Sequence, residues 1–276
     1  MRILIRTSRW AIWARRLGSV AVPLVVLSVL LHRLRLIGSE AFVNAALGGA
    51  LVAGLAVLTG IIALARLWQT GDRGWGSSLL GLLLGLLCLV PYAWYGSLAL
   101  TYPPVTDLAT TARDGLPLVF EPGTVSMPPP LLLTRQQAET LFPSAETRIY
   151  PLSQAQVFAL VEQLVADAGW DVRRVRAPDA AFDPALLNAQ IVTLPGWRDE
   201  VVLRVTGDEA SAVVDMRSAS LHAPHDFGAN GRRIERFLAD LDTAVTVLLR
   251  DNPNINQPEI EPDAGAAIEA DAPPVE

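Results

Sequence analysis

The chain has 276 residues, of which 51% are hydrophobic and only 18% are charged, a balance that is unusual for a soluble protein. Residues 1–100 carry nine Arg and two acids, whereas residues 101–276 carry thirteen Arg and 26 acids, so a basic part precedes an acidic one. The acidic part argues against nucleic-acid binding, which needs a basic face, and the single Cys88 excludes an internal disulfide.

Three apolar stretches dominate the first hundred residues. They run from Leu17 to Leu31, from Ala41 to Ala65 and from Gly74 to Leu100, and none of them contains a charged side chain. A bilayer span takes about 20 mainly apolar residues, so the second and third stretches are long enough. The first is short and follows an Arg-rich start, as in a signal peptide, but no small-x-small cleavage site follows it. We therefore predict an uncleaved anchor of three transmembrane helices over residues 1–100.

Arginine placement predicts the orientation of this anchor. Seven arginines lie before the first stretch or between the second and third, against three in the first loop and just after the third stretch. By the positive-inside rule, the N-terminus is then cytoplasmic in a bacterial inner membrane, and three spans place the following domain in the periplasm. If the short first stretch lay flat on the membrane, two spans would invert this topology.

Two small-residue patterns, Gly81-x-x-x-Gly85 and Ala50-x-x-x-Gly54, would allow close helix packing. They either pack within one bundle or join two copies into a homo-oligomer. The three stretches contain no ionisable Asp, Glu, Arg or His side chain, although transport normally requires one. The helices are therefore interpreted as an anchor in the lipid bilayer.

The outer half is predicted to contain a Pro-rich linker over residues 101–133, laid over an α+β domain of residues 134–250. Ser153 and Gln156 form a capping box before an apolar helical repeat that Gly169 ends, and a second amphipathic helix runs through Arg250. The order of elements predicts two main helices packed on one antiparallel sheet. Strands are expected at residues 147–152, 170–175, 190–194, 200–206 and 212–220, the last two as a hairpin.

Residues 251–276 contain seven acids, no basic residue and several Pro and Ala. Such a segment cannot bury enough apolar surface to order itself, so a disordered acidic tail is predicted.

Several sequence runs in the outer half resemble domain-of-unknown-function (DUF) family 1499. The runs are RDEVVLRV, VVDMRSAS and HDFGANGRRIERFLADL, with PPVTDLATT, IYPLS and a helix ending in GWDV upstream. The resemblance covers roughly residues 101–246 and implies a membrane-anchored bacterial member, since such members often carry N-terminal membrane helices. Leu221 stands where the family commonly has Arg. The family has no established activity, so the resemblance implies a fold unit and no reaction.

Charged residues of the predicted hairpin form the first candidate motif. Asp215 and Arg217 lie two residues apart and therefore on one face of a strand, and Arg204 on the partner strand can pair diagonally with Asp215. The preferred interpretation is a charge ladder that fixes the strand register. The alternative is an anion or headgroup site with Arg217, Arg232 and Arg233 as donors.

The second candidate motif adjoins the last helix. Asp226 is expected to accept hydrogen bonds from first-turn amides, and Gly228 to allow a tight turn into the helix. Asn230 is expected to bond a backbone group of a neighbouring strand or loop. Ser218 and Ser220 complete the candidate binding or structural motif.

The sequence offers no catalytic or metal signature. His222, His225 and Asp226 form an H-x-x-H-D pattern, but the chain has only three His, and Pro224 breaks helical presentation, so a solvated loop is predicted. Ser218 and Ser220 lie outside any G-x-S-x-G elbow, and no phosphate-binding loop is present. No catalytic residue, cofactor or metal is therefore predicted.

These features favour a membrane-anchored envelope protein whose outer domain binds a protein partner or an amphiphile near the membrane surface. The alternative is an enzyme that acts on an envelope lipid or glycan. Ser218, His222 or His225 within hydrogen-bond reach of Asp215 at a cleft floor would favour the enzyme. A sheet face with an apolar groove and only Arg at its rim would favour binding.

Overall fold

Three long helices occupy the first part of the chain. The computed structural model describes residues 6–119, 129–179 and 183–253. The helices are α1 (Arg9–Arg33), α2 (Ser39–Thr70) and α3 (Trp75–Thr101), and all three are long and apolar enough to cross a membrane. α1 begins well before the uncharged stretch, so its 25 residues suffice for a span although that stretch alone is short.

Small residues bring the three helices into close contact. A Cβ atom at Gly81 would lie 2.2 Å from the carbonyl carbon of Ala14 on α1, and one at Gly85 would lie 2.9 Å from the carbonyl oxygen of Ala53 on α2. A Cβ atom at Gly54 would meet nothing within 4 Å. The Gly81/Gly85 pattern therefore packs α3 against both other helices of the same bundle.

The helices alternate in direction, and the outer domain docks at one end of the bundle. Thr7 and Arg73 form a parallel bridge, which places the N-terminal side of α1 beside the α2–α3 connection. At the opposite end, His32 Nδ1 lies 2.7 Å from the carbonyl oxygen of Pro195. Arg33 Nη1 also donates to the carbonyl oxygen of Thr193 at 2.9 Å. The domain therefore sits at the end of the bundle away from the N-terminus.

The outer domain is an antiparallel sheet with helices, as predicted. In chain order the elements are β1 (Asp107–Ala109), a 3-10 turn (Arg113–Gly115), α4 (Arg135–Leu141), β2 (Arg148–Tyr150), α5 (Gln154–Asp167), β3 (Asp171–Arg176), β4 (Ala185–Val192), β5 (Arg198–Gly207), β6 (Ala212–Ser220) and α6 (Ala229–Asp251). The sheet has the order β1-β6-β5-β4-β3, and β2 also pairs with β6. Helices α5 and α6 pack on one face of this sheet around buried Leu187, Val201, Leu203 and Met216.

The described residues 101–119 of the Pro-rich segment lie over the second face of the sheet. The carbonyl oxygen of Leu116 accepts a hydrogen bond from Arg217 Nη1 at 2.8 Å, and Val119 N donates to Glu200 Oε1 at 2.7 Å. The segment is not purely extended, because residues 107–109 add β1 to the sheet and residues 113–115 form the 3-10 turn. Its backbone hydrogen bonds are thus partly made with β6.

Several predicted element boundaries were wrong. β4 begins at Ala185 and ends at Val192, because all of these residues pair with β5. The chain then turns, with Gly196 N donating to the carbonyl oxygen of Thr193, so the strand ends before residue 194. β2 is shorter than predicted, because only three of its residues pair with β6. The capping box at Ser153 is present, whereas the predicted tail lies outside the described residues from 254 onward.

Candidate ligand-binding site

The hairpin charges form a ladder beneath the Pro-rich segment. Arg204 lies directly opposite Asp215 rather than diagonal to it, and its Nη2 donates to Asp215 Oδ2 at 2.7 Å. Thr147 Oγ1 donates to the other carboxylate oxygen of Asp215 at 2.6 Å. The carboxylate is almost completely buried, so these donors compensate for its lost hydration.

Arg217 ties β6 to β1 rather than to its neighbour Asp215. Its Nε and Nη2 donate to the two carboxylate oxygens of Asp107 at 3.0 and 2.8 Å. Arg113 Nε adds a third donor to the same carboxylate at 3.2 Å. The side chain of Asp107 is only 2% exposed, so this buried pair anchors the chain that leaves the membrane helices.

The start of α6 is organised by Asp226. Its two carboxylate oxygens accept hydrogen bonds from Gly228 N at 2.8 Å and from Asn230 N at 3.1 Å. Gly228 has φ +73°, a left-handed conformation that glycine adopts without a steric penalty. A Cβ atom there would also lie 2.7 Å from the ring of Tyr102. Asp226 therefore contacts the helix start as predicted, but Gly228 is the cap residue of α6, and only the Asn230 amide belongs to the first turn.

A second polar network lies between the start of α6 and the end of the sheet. Arg233 donates through Nη1 to Ser218 Oγ at 2.7 Å and through Nη2 to Asp199 Oδ2 at 2.6 Å. Asn230 Nδ2 donates to Ser220 Oγ at 3.1 Å and to the carbonyl oxygen of Thr106 at 3.3 Å. The network fastens α6 to β5, β6 and the segment before β1.

The three arginines of the alternative anion site do not converge. Arg217 and Ser218 are successive strand residues and point to opposite faces, so Arg217 and Arg233 lie in separate networks. Arg232 donates to the carbonyl oxygen of Phe227 and lies 4.8 Å from the ring centroid of Tyr102. A site that uses all three guanidinium groups together is therefore not formed.

The histidine loop is not simply solvated. His222 is exposed, but His225 is partly buried and stacks on Phe227 with ring centroids 4.4 Å apart. His225 Nδ1 accepts a hydrogen bond from Phe227 N at 2.9 Å. In residues 6–119, 129–179 and 183–253, no three or more His, Cys, Asp or Glu side chains are grouped to hold a metal ion.

An apolar pocket lies where the three helices meet the outer domain; we refer to it as the junction pocket. Its volume is about 380 Å³, and its wall is almost entirely apolar. Tyr92 donates its hydroxyl to the carbonyl oxygen of Ala46 across the wall, at 2.7 Å. Each helix and the domain contribute to the lining, which includes Val29, Leu47, Tyr92, Gly96, Trp197 and Phe227. Leu47 is 63% exposed on the outer surface of the bundle, so the pocket adjoins the lipid-facing side.

A smaller and more polar cavity of about 160 Å³ adjoins the junction pocket; we refer to it as the polar chamber. Tyr95, Pro195, Trp197, His225 and Phe227 line both spaces, so the two are neighbours across a shared wall. The remaining lining of the polar chamber includes Asp199, Ser220, Asp226 and Arg232.

Two buried carboxylates give the polar chamber its electrostatic character. Asp199 and Asp226 are 1% and 5% exposed. Burial raises the pKa of Asp226 above its usual value, the negative charge of Asp199 adds to the rise, and the amides of Gly228 and Asn230 oppose it. Asp199 Oδ1 is buried and has no hydrogen-bond partner among the described residues. A buried acceptor without a donor is rare in folded proteins.

The residues that line these spaces were mostly absent from the predicted motif. Asp199 shares its strand parity with buried Val201 and Leu203, which would have placed it on the helix-covered face. The sequence gave no comparable signal for Trp197 and Phe227. Trp197 contacts His32, and Phe227 contacts Tyr95, only when the domain docks on the helices.

These observations define a membrane-associated α+β protein with three helices of membrane-spanning length. Residues 124–241 match the family described as "Protein of unknown function (DUF1499)", the family that the sequence runs resemble. The upstream PPVTDLATT block lies outside the matched residues. Comparison with curated proteins and with solved structures found no match.

Proposed function

We propose that the protein is a membrane-anchored binding protein that holds an amphiphile at the junction of its helices and its outer domain. The observation that carries this proposal is the apolar junction pocket, whose wall joins all three helices to the domain. Ligand pockets are typically concave and mainly apolar, with a few polar groups that fix orientation. The adjoining polar chamber supplies such groups.

The position of the pocket favours an amphiphile over a water-soluble ligand. Tyr95 and Trp94 lie near the domain end of α3, where amphipathic rings favour the headgroup region of a bilayer. Leu47 and Val43 line the pocket and are exposed on the bundle surface. An acyl chain can therefore enter from the membrane while its head group remains at the level of the domain.

The alternative enzymatic function has weaker support. Asp215 is engaged by Arg204, Thr147 and Thr110, and Ser218 by Asn230 and Arg233. His225 uses its Nδ1 to accept from the backbone. The contacts of these side chains match internal networks rather than a nucleophile beside a base. For a protein partner, the other half of the binding hypothesis, the described residues show no surface feature comparable to the junction pocket.

The membrane we propose is a bacterial inner membrane, with the N-terminus in the cytoplasm and the outer domain in the periplasm. Arg6, Arg9 and Arg73 lie at the end of the bundle away from the domain, and Arg33 and Arg35 lie at the domain end. The excess of arginine at the first end supports a cytoplasmic position for it.

A fused reporter tests this topology. We expect alkaline phosphatase, which is active only in the periplasm, to be active when fused after Asp251. Green fluorescent protein does not become fluorescent when it is exported in the unfolded state, so a fusion after Asp251 should be dark. A fusion before Met1 should stay in the cytoplasm and fluoresce. A fluorescent C-terminal fusion with inactive phosphatase would contradict the proposed orientation.

A substitution that fills the junction pocket tests the binding function. Gly96 lines the pocket, and a Cβ atom there would meet nothing within 4 Å, so Gly96→Leu adds apolar volume without a backbone clash. After purification in mild detergent, we expect the variant to carry at most about one tenth of the lipid bound to the wild type. The leucine side chain would occupy the space of the acyl chain. Quantitative mass spectrometry of the bound lipid measures this loss.

Gly76→Leu is the matched control. Gly76 also lies on α3 and faces open space, but at the other end of the helix and outside the pocket. This variant should retain lipid like the wild type. Equal lipid retention by both variants and the wild type would overturn the proposed site.

A further inference from the structure

We propose that the polar chamber recognises the ammonium group of a zwitterionic membrane lipid, with Asp199 Oδ1 as the acceptor and Arg232 beside the phosphate. This inference rests on the proposed amphiphile site and assigns the chemistry of its head group. The lipid comes from the surrounding bilayer, with its acyl chain in the junction pocket.

The acceptor atom is already in place and lacks a donor. Asp199 lines the chamber, and Arg233 fixes its side chain by donating to the other carboxylate oxygen, Oδ2, at 2.6 Å. Asp199 Oδ1 is left buried and without a partner among the described residues. Leaving such an atom unsatisfied is costly, so a ligand that supplies an N–H donor gains the full benefit of pairing it.

The charge of the chamber selects a donor over an acceptor. Asp199 and Asp226 line one part of it, and a negative charge is disfavoured beside these carboxylates, whereas Arg232 lines another part. After burial, the negative charge of Asp199 contributes to the raised pKa of Asp226, so the two carboxylates interact. An ammonium group next to Asp199 reverses this repulsion and forms a charge-assisted hydrogen bond.

The negatively charged phosphate of the head group would lie beside Arg232. Arg232 lines the chamber, and two contacts hold its guanidinium group. Its Nη2 donates a hydrogen bond to the carbonyl oxygen of Phe227, and the group lies over the ring of Tyr102. A guanidinium has five donors, so the bond to Phe227 leaves others for phosphate oxygens. The chamber thus offers an acceptor and a cation to the two ends of a phosphoethanolamine group.

The test compares lipids whose ammonium group exchanges one N–H donor for a methyl group at each step. The full chain is purified in detergent, and its affinity is measured by native mass spectrometry for dioleoyl phosphatidylethanolamine, its N-methyl and N,N-dimethyl derivatives, and dioleoyl phosphatidylcholine. We expect phosphatidylcholine, which has no N–H donor, to bind at least about tenfold more weakly than phosphatidylethanolamine, as befits one charged hydrogen bond. Equal affinity across the series would overturn the assignment.

A second part of the experiment uses an isosteric variant. Asp199→Asn keeps an oxygen for Arg233 but presents an amide donor in place of the acceptor, so its preference for phosphatidylethanolamine should vanish. The wild-type methylation series decides the question even if this variant does not fold. Dioleoyl phosphatidylglycerol bound as tightly as phosphatidylethanolamine would also overturn the inference, since a hydroxyl donor would then suffice. If no lipid binds, the proposed function itself fails, whereas equal binding of all lipids refutes only the head-group assignment.

Discussion

Replacing Arg217 by alanine should lower the free energy of unfolding of the outer domain by about 3–5 kcal/mol, the range for removing one partner of a buried ion pair. The substitution removes two donors from the Asp107 carboxylate and one from the carbonyl oxygen of Leu116. Arg113 remains near Asp107, but its side chain is 34% exposed and gives a weaker contact. Hydrogen–deuterium exchange of the full chain in detergent, read at the β1 and β6 peptides, measures the loss.

Arg135→Ala is the matched control, because Arg135 pairs with Glu139 one helical turn away on the protein surface. Exposed pairs of this kind contribute about 0.3–0.5 kcal/mol. The double variant Asp107→Leu/Arg217→Met should be less destabilised than Arg217→Ala, because no charge is left buried. If Arg217→Ala and Arg135→Ala had equal effects, the pair at β1 would not hold the segment to the sheet.

Replacing Gly81 by leucine should separate α1 from α3, at a cost of more than about 3 kcal/mol to the packing of the bundle. The new Cβ atom would lie 2.2 Å from the carbonyl carbon and 2.4 Å from the carbonyl oxygen of Ala14. These are backbone atoms, so a side-chain rotation cannot relieve the overlap, and the helix must move.

A disulfide reports this displacement in native membranes. Thr7→Cys and Arg73→Cys, in a Cys88→Ala background, place two thiols at paired positions of the parallel bridge. Oxidation should cross-link this background and its Gly54→Leu derivative, since a Cβ atom at Gly54 meets nothing within 4 Å. The Gly81→Leu derivative should lose most of the cross-link. Equal cross-linking in all three would show that α1 does not pack on Gly81.

Elements with a strong hydrophobic period were predictable from the sequence. The β5–β6 hairpin and helices α5 and α6 carry alternating or helical apolar patterns, and the two helices and the hairpin are present. α4 follows a capping box at Thr134 but has only seven residues and buries none of them, so periodicity gave no signal for it. β1 has three residues and forms only because β6 offers its edge.

The candidate site was predictable only in part, for a physical reason. The contacts of Asp226 are local along the chain and follow from helix-capping rules. The partners of Arg217 and Arg233 lie 110 and 34 residues away, so their pairing depends on the folded sheet. The junction pocket depends further on how the domain docks against the helices, through contacts such as His32 with Trp197.

The wall of the junction pocket is formed partly by the three helices and partly by the outer domain. Binding of a ligand there is therefore coupled to the docking of the domain on the helices. A ligand that contacts both halves binds the docked arrangement and not the separated one, so it stabilises docking by RT ln(1 + [L]/Kd). A membrane lipid is present at high local concentration, and even a weak site is then well occupied. If the pocket holds a lipid as proposed, delipidation should loosen the domain from its anchor, and the lipid supply should then control the mobility of the domain relative to the bilayer.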